Sequence, residues 1–379
     1  MPLRVLVQTR DFPPQSGGIA QVAYRLAEAL TGLGHEVEVH AGEIPGGAEQ
    51  TRGGPELFPV RRLHKRSLRR ALDDYLARGR PDLVIAVHWK AARDTAARCR
   101  SEGIPLFVVV HGKEVSERRG WLRRLRLRRV LAQADRIVCV SRFTARTVAE
   151  GFDVASARIA VIHPGVDTER YHPAEPSRDL RERYGLGTGP ILLTVGRLVE
   201  RKGHDMVIRA LPRILKRHPE ARYVVCGGGA EADLGRLRSL ARSEGVADAT
   251  VFAGHVPEED VAELYRSCAV CVMPSRILPG GDSEGFGITY LEAGACARPV
   301  IGGRQAGVVD AIVHEETGLL VDPQEPDAIA DAVLRLLDDP DLARRMGEAG
   351  RARVLEAFTW SSISGRYLAL LEDVRGGSA

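Results

Sequence analysis

Two doubly wound α/β domains, each carrying a parallel sheet, are predicted by three features of the 379-residue chain. Short apolar segments alternate with longer amphipathic stretches almost throughout. The segments are continuously apolar, as strands buried on both faces must be. They also fall into two sets, which implies two sheets covered by helices on both sides.

The first set runs RVLVQ (4–8), EVEVH (36–40), DLVIAV (82–87), PLFVVV (105–110), RIVCV (136–140) and IAVI (159–162). The second runs ILLTV (191–195), RYVVC (222–226), TVFAG (250–254), AVCVMP (269–274), PVIGG (299–303) and TGLLV (317–321). Between them, residues 163–190 are rich in Pro, Gly and charge, and read as the inter-domain linker. Residues from about 340 to 373 read as helical, with Thr359 or Ser361 starting the last helix. The expected division is 1–168, 169–357 and a terminal helix over 358–379.

Hydrophobic content of 44% and charged content of 27% place the chain among globular proteins. No apolar run approaches the ~20 residues that span a bilayer. The start, MPLRVLVQTRD, lacks the parts of a signal peptide, so a cytoplasmic location is expected. Cys99, Cys139, Cys226, Cys268, Cys271 and Cys296 mostly lie inside apolar runs. The CxxC at 268–271 has no second pair, so packed thiols are expected rather than a zinc or redox site.

Chemistry gathers at strand ends. The stretch DSEGFGITYLEAGACARPVIGG (282–303) sets Glu284 and Glu292 eight positions apart around Gly285-Phe286-Gly287. On one helix that spacing puts both carboxylates on nearly one face, roughly 12 Å apart. That is too far to share one bond and suits one long ligand. Arg197 and Lys202 follow the strand 191–195, flanked by Gly196 and Gly203. A guanidinium and an ammonium there suit a pyrophosphate, although two solvated loop cations would look the same. After the first strand, Gly17-Gly18 precede a helix whose N–H groups favour an anion; a plain tight turn is the alternative. Neither a GxGxxG nor a GxxxxGK[ST] is present there. Gly227–Gly229 form a further glycine-rich turn, and His255 or Val256 borders a base at another strand end. His111 ends a buried strand beside Gly112, where a lone histidine is more often structural.

Taken in order, these residues resemble the retaining nucleotide-sugar glycosyltransferases of family 4, which have the two-domain GT-B fold. The resemblance covers FPPQSGG, HGKE, HPGVD, GRLVERKG, CGGG, EGFGITYLEAGACARPVI and TGLLVDP, essentially the whole chain. It implies two Rossmann-like domains with parallel sheets facing across a cleft. It also implies that Arg197 and Lys202 hold the donor diphosphate, and that Glu284 accepts hydrogen bonds from the donor sugar. The backbone of Gly285, Phe286, Gly287 and Ile288 would grip the sugar and phosphate, and Glu292 the ribose hydroxyls. Val256 would border the base, Gly17 and Gly18 would face the phosphates, and His111 would contact the sugar near the reacting carbon. No protein base is demanded, and no essential metal or other cofactor is expected, since no DxD stands at a strand end. The terminal helix would return to the first domain.

DFPP, GGDSEGFGITYLEA and MPSR look most like the branch of phosphatidylinositol-mannoside mannosyltransferases, which favours GDP-mannose over a UDP-sugar as donor. The chain departs from the family at Ala297, where Gly is frequent, and in GGRQAGVVDAI, where Gly303, Gln305 and Asp310 alter the floor of the donor pocket. Two basic stretches, 61–70 and 118–129, carry six and seven Lys or Arg. The second interleaves Trp121, Leu122, Leu125 and Leu127 as an interfacial helix does. A solvated arginine-rich face is the plain alternative, and no nucleic-acid motif is present. A lipid-linked, phosphorylated or glycoside acceptor is the favoured expectation, and docking on the inner face of the plasma membrane stands as the alternative to a solvated face. A nucleotide-sugar 2-epimerase or a non-catalytic nucleotide-sugar-binding subunit are the competing functions.

Overall fold

The computed structural model describes residues 1–15, 17–43, 57–64, 68–116, 120–176 and 178–376. Its contacts divide the chain into one unit of residues 1–165 with 360–379 and another of residues 166–359.

The first unit carries seven parallel strands: β1 (Arg4–Gln8), β2 (Glu36–Gly42), β3 (Val60–Leu63), β4 (Leu83–Ala86), β5 (Leu106–Val110), β6 (Arg136–Cys139) and β7 (Ile159–Val161). Their order across the sheet is β3-β2-β1-β4-β5-β6-β7. Direction of growth reverses between β1 and β4, where Gln8 lies opposite Ala86. Continuous burial of Leu83–Ala86 and Leu106–Val110 explains why these strands are readable as unbroken apolar runs. The edge strand β3, VRRL, buries only Leu63. Its arginines hid it from the apolar pattern.

The second unit carries six: β8 (Ile191–Val195), β9 (Arg222–Cys226), β10 (Thr250–Gly254), β11 (Val270–Met273), β12 (Val300–Gly303) and β13 (Gly318–Val321). Their order is β10-β9-β8-β11-β12-β13, with the reversal between β8 and β11. The core beneath it joins Leu192, Tyr223, Val270 and Ile301 to the helix residues Ile208, Leu211, Ile329 and Val333. All six cysteines are buried free thiols, and burial pushes the Cys268 thiol up to about 12. They behave as small apolar groups.

Residues 163–190 are not without structure, since Arg178–Arg183 form a short helix in the second unit. The helix Trp360–Gly376 belongs to the first unit, where it packs on the helix Gly18–Gly32. Ile363, Ser364, Tyr367 and Leu371 are its buried residues, and Arg375 pairs with Asp82.

Candidate functional site

In the second unit the chemistry collects at the carboxyl ends of β8 and β11, on either side of the strand-order reversal, where open α/β sheets bind ligands. After β8 the chain turns through Gly196 and Arg197 into a short 3-10 helix, Glu200–Lys202. Gly203 (φ 76°) then starts the helix His204–Leu215. A Cβ there would lie 2.3 Å from the Pro274 carbonyl oxygen, so the close approach to the end of β11 requires glycine.

This turn places Lys202 7% and Arg201 8% exposed. Both close on Glu284 Oε2, Lys202 Nζ at 2.6 Å and Arg201 at 2.5 Å. Asp282 lies 3.5 Å from the other side of Arg201. Burial works to raise the Glu284 pKa, but the two cations overcome it and hold the carboxyl at about 2. Burial pushes the Lys202 ammonium down, and Glu284 opposes that shift. The carboxylate therefore favours the charged form of a buried ammonium.

Arg197 projects into solvent, with no side-chain hydrogen bond or ion pair among the described residues. Its carbonyl is fixed instead. Buried His204 donates from Nε2 to that oxygen at 3.1 Å, and its Nδ1 lies 3.4 Å from the Tyr223 hydroxyl. Burial drives the His204 pKa down to about 4, so the ring is neutral and suited to this donor–acceptor relay.

The two glutamates do not share a helix. Glu284 lies in the loop, and the helix begins only at Ile288, after Gly287 (φ 98°). A Cβ on Gly287 would sit 2.5 Å from the Tyr290 ring. Tyr290 in turn donates to the Met273 carbonyl at 2.5 Å, which ties the start of this helix to the end of β11. The helical face predicted for the pair thus holds for Glu292 alone. Glu292 Oε2 accepts from Tyr265 at 2.7 Å, and burial raises its pKa. Gly285 and Phe286 are buried, and Val256 is buried just after β10. Gln305 accepts from the Ile277 N–H at 2.8 Å, while Asp310 is buried and Gly303 abuts Ser275.

Arg201 was not singled out by sequence, although it makes the same contact as Lys202. Arg276, which binds Asp205 at 2.9 and 3.0 Å, was missed too. The partners of both are 70 or more residues away, a pairing that one sequence does not display.

In the first unit, Gly17 (φ 136°) caps the helix Gly18–Gly32, and a Cβ on either glycine would meet nothing within 4 Å. His111 follows β5, and its Nε2 donates to the Val87 carbonyl at 2.6 Å. Its N–H reaches Glu114 at 2.8 Å. A cavity of about 1010 Å³ opens at the amino-terminal edge of this sheet, lined by Arg80, Arg100, Arg136, Arg158 and Arg375. It lies at the opposite strand ends from His111.

The basic stretches are only partly free surface. Lys65, Arg66, Arg118 and Arg119 fall outside the described residues. Arg61 pairs with Asp74 at 2.8 Å, and Arg62 covers the Phe12 ring. In the helix Trp121–Gln133, Leu127 faces the core, so it is not an interfacial residue as predicted. Trp121 (73%), Leu122 (50%) and Leu125 (37%) are exposed.

Family models for "Glycosyltransferase Family 4" and "Glycosyl transferases group 1" match residues 16–170 and 177–353 respectively. A GDP-mannose-dependent alpha-(1-6)-phosphatidylinositol monomannoside mannosyltransferase of Mycolicibacterium smegmatis is 36% identical over 98% of this chain and 99% of its own. A glycogen synthase of Mycobacterium tuberculosis is 28% identical over 96% of this chain and 92% of its own. Among solved structures, sucrose-phosphate synthase from Thermosynechococcus elongatus superposes with a TM-score of 0.84 at 23% identity, covering 99% of this chain and 100% of that one. Anabaena Alr3699/HepE, solved with UDP and glucose, gives 0.83 at 18% identity, over 98% and 100%.

Proposed function

The chain belongs to glycosyltransferase family 4 and is a nucleotide-sugar glycosyltransferase, and we propose that it moves mannose from GDP-mannose to an acceptor hydroxyl with retention of configuration. The observation that carries the reading is the Lys202–Glu284–Arg201 cluster at the carboxyl end of β8, with exposed Arg197 beside it in sequence. Arg197 and Lys202 hold the donor diphosphate and stabilise charge as it leaves. Glu284 keeps Lys202 charged and accepts from sugar hydroxyls. Backbone groups of Gly285, Phe286, Gly287 and Ile288 hold the sugar, Glu292 takes the ribose, and Val256 borders the base. Gly17, Gly18 and His111 take part in holding the same donor.

The bond from the anomeric carbon to the diphosphate oxygen breaks, and the acceptor oxygen attacks from the same face. The acceptor's proton passes to the leaving phosphate. This route needs no protein base and no metal, so EDTA should leave the rate unchanged. A panel of nucleotide sugars scored by thermal shift tests the donor, because a ligand that binds the native state stabilises it by RT ln(1 + [L]/Kd). Stabilisation by UDP-glucose but not GDP-mannose would overturn mannose. An inverted anomer in the product would overturn retention, and an epimerised free donor would favour the isomerase.

We also propose peripheral docking on an anionic, cytoplasmic membrane face through Trp121, Leu122 and Leu125, supported by exposed Arg126, Arg128 and Arg129 around them. Among the described residues no helix is long and apolar enough to cross a membrane. Flotation with phosphatidylglycerol vesicles at two salt concentrations tests the docking. Wild type left unbound at low salt would remove it.

A further inference from the structure

The cavity at the amino-terminal edge of the first sheet takes no part in the donor chemistry above and lies wholly within the first unit. Its volume of about 1010 Å³ stands at the upper end of the small-molecule range, about 300–1,000 Å³.

The wall of this cavity holds five guanidinium groups and two carboxylates, Asp82 and Asp135. Both carboxylates are committed to the fold. Asp82 Oδ2 accepts from the Arg4 N–H at 2.9 Å, and Asp135 Oδ2 accepts from the Leu106 N–H at 2.8 Å. These are the first N–H groups of β1 and β5. Asp82 Oδ1 also takes Arg375 at 2.5 Å.

The other four arginines have no carboxylate partner among the described residues. Three of them are anchored to backbone carbonyls: Arg80 Nη2 donates to Gly103 at 2.6 Å, and Arg136 Nη1 to Asp135 at 3.2 Å. Arg158 Nη2 donates to Leu131 at 2.6 Å and also to Ala134. Gly103, Ala134 and Asp135 line the cavity themselves, so these bonds hold the guanidiniums against one open space. A carbonyl orients a guanidinium without neutralising it, and each anchor occupies one nitrogen of the fork. Arg100 lines the same space with no side-chain hydrogen bond or ion pair among the described residues.

We propose that this cavity binds a small molecule carrying two or more phosphate groups. Several oriented forks around one space match several phosphates, whereas a single phosphate has oxygens for only one or two of them. The end of the helix Trp360–Gly376 completes the wall through Val374 and Arg375. Leu371 is the last buried residue of that helix, and beyond it Arg375 reaches Asp82 through an exposed pair of the kind that holds weakly. A bound polyphosphate bridges Arg375 to the arginines of the sheet edge and fastens the helix end. None of this rests on the glycosyl-transfer reading.

Calorimetry on the full chain with tripolyphosphate, ATP and AMP tests it. Wild type should bind tripolyphosphate, ATP or both about tenfold or more tightly than AMP, and binding of tripolyphosphate alone would mark an inorganic ligand. Arg100→Gln and Arg136→Gln should each weaken that binding about tenfold, with unchanged urea midpoints. Arg80→Gln serves if either fails to fold. Lys202→Ala should keep the binding, because that cation belongs to the second unit. Hydrogen exchange of amides 372–376 should slow when ligand is added to wild type. No polyphosphate binding, AMP bound as tightly, or undiminished affinity in the arginine variants overturns the site. Loss of binding in Lys202→Ala also overturns it, by moving the anion to the donor cations. Unchanged exchange with ligand bound overturns the fastening of the helix.

Discussion

The carboxyl ends of β8 and β11 and the carboxyl ends of β1 and β4 are the same position in two similar sheets, yet they manage charge in opposite ways. In the second unit the buried cations Lys202 and Arg201 already share a carboxylate, Glu284. In the first, Arg10, Lys90 and Arg123 lie about a neutral His88, and Gln8 Nε2 and Trp89 Nε1 are buried without acceptors among the described residues. A site that carries its own counter-charge keeps an ammonium ionised before any ligand arrives. At the first edge the counter-charge is shared less closely, since Asp94 is bound by Arg93 at 2.8 Å and stands 3.8 Å from Arg10.

The largest effect should come from breaking the built-in pairing. Glu284→Ala leaves Lys202 and Arg201 buried against each other, and should cost about 3–5 kcal/mol in chemical denaturation. Adding Lys202→Met should recover part of that loss; if the double variant is as unstable as the sum of the singles, the cluster is not acting as a pair. Next, Lys202→Ala and Arg197→Ala should each lower kcat by ~10²-fold. Near-normal turnover in either would reduce that cation to a structural role.

Acid provides the third test. The Glu284 pKa lies at about 2 against an ordinary 4.5. The stability from this depression is present in full above about pH 4.5 and is lost as pH falls toward 2. Glu284→Gln should flatten that part of the stability–pH curve. Glu292 has the opposite sign, because burial raises its pKa and ionisation at neutral pH is then a cost. Glu292→Gln should raise the Tm at pH 7 by a degree or so while weakening donor binding, with Tyr265 still donating to the amide oxygen. A lowered Tm would show that the Tyr265 contact outweighs burial. The smallest effect is expected at Ala297, which adopts φ 55° at the end of the Glu292 helix. Ala297→Gly should stabilise the protein by about 1 kcal/mol and leave donor affinity unchanged.

Much of this was legible in the chain. Buried parallel strands are written as unbroken apolar runs, so among the described residues twelve of the thirteen strands were readable and β3, with Arg61 and Arg62, was not. Lys202 and Glu284 were readable because glycines flag strand-end turns. Their direct contact was not, since it joins loops 82 residues apart in sequence. Eight-residue spacing suggested one helical face for Glu284 and Glu292, and Gly287 broke it by starting the helix late. The departure at Ala297 was visible as a residue type, but its left-handed backbone is what gives it a physical meaning. The meeting of Gln8, Arg10 and His88 at the carboxyl ends of β1 and β4 escaped notice because they match no motif; only strand order brings them together.

The path of the chain also has a temporal side. Residues 166–359 form the second unit as one uninterrupted stretch, whereas the first unit needs residues 360–376 to cover the helix Gly18–Gly32. During synthesis, therefore, the amino-terminal sheet is made first but finished last. It must wait through some two hundred further residues, at ribosomal speeds of about 5–20 residues per second, with part of its apolar surface uncovered. Nascent chains halted before residue 360 should accordingly show a protease-resistant second unit beside a more readily digested first one.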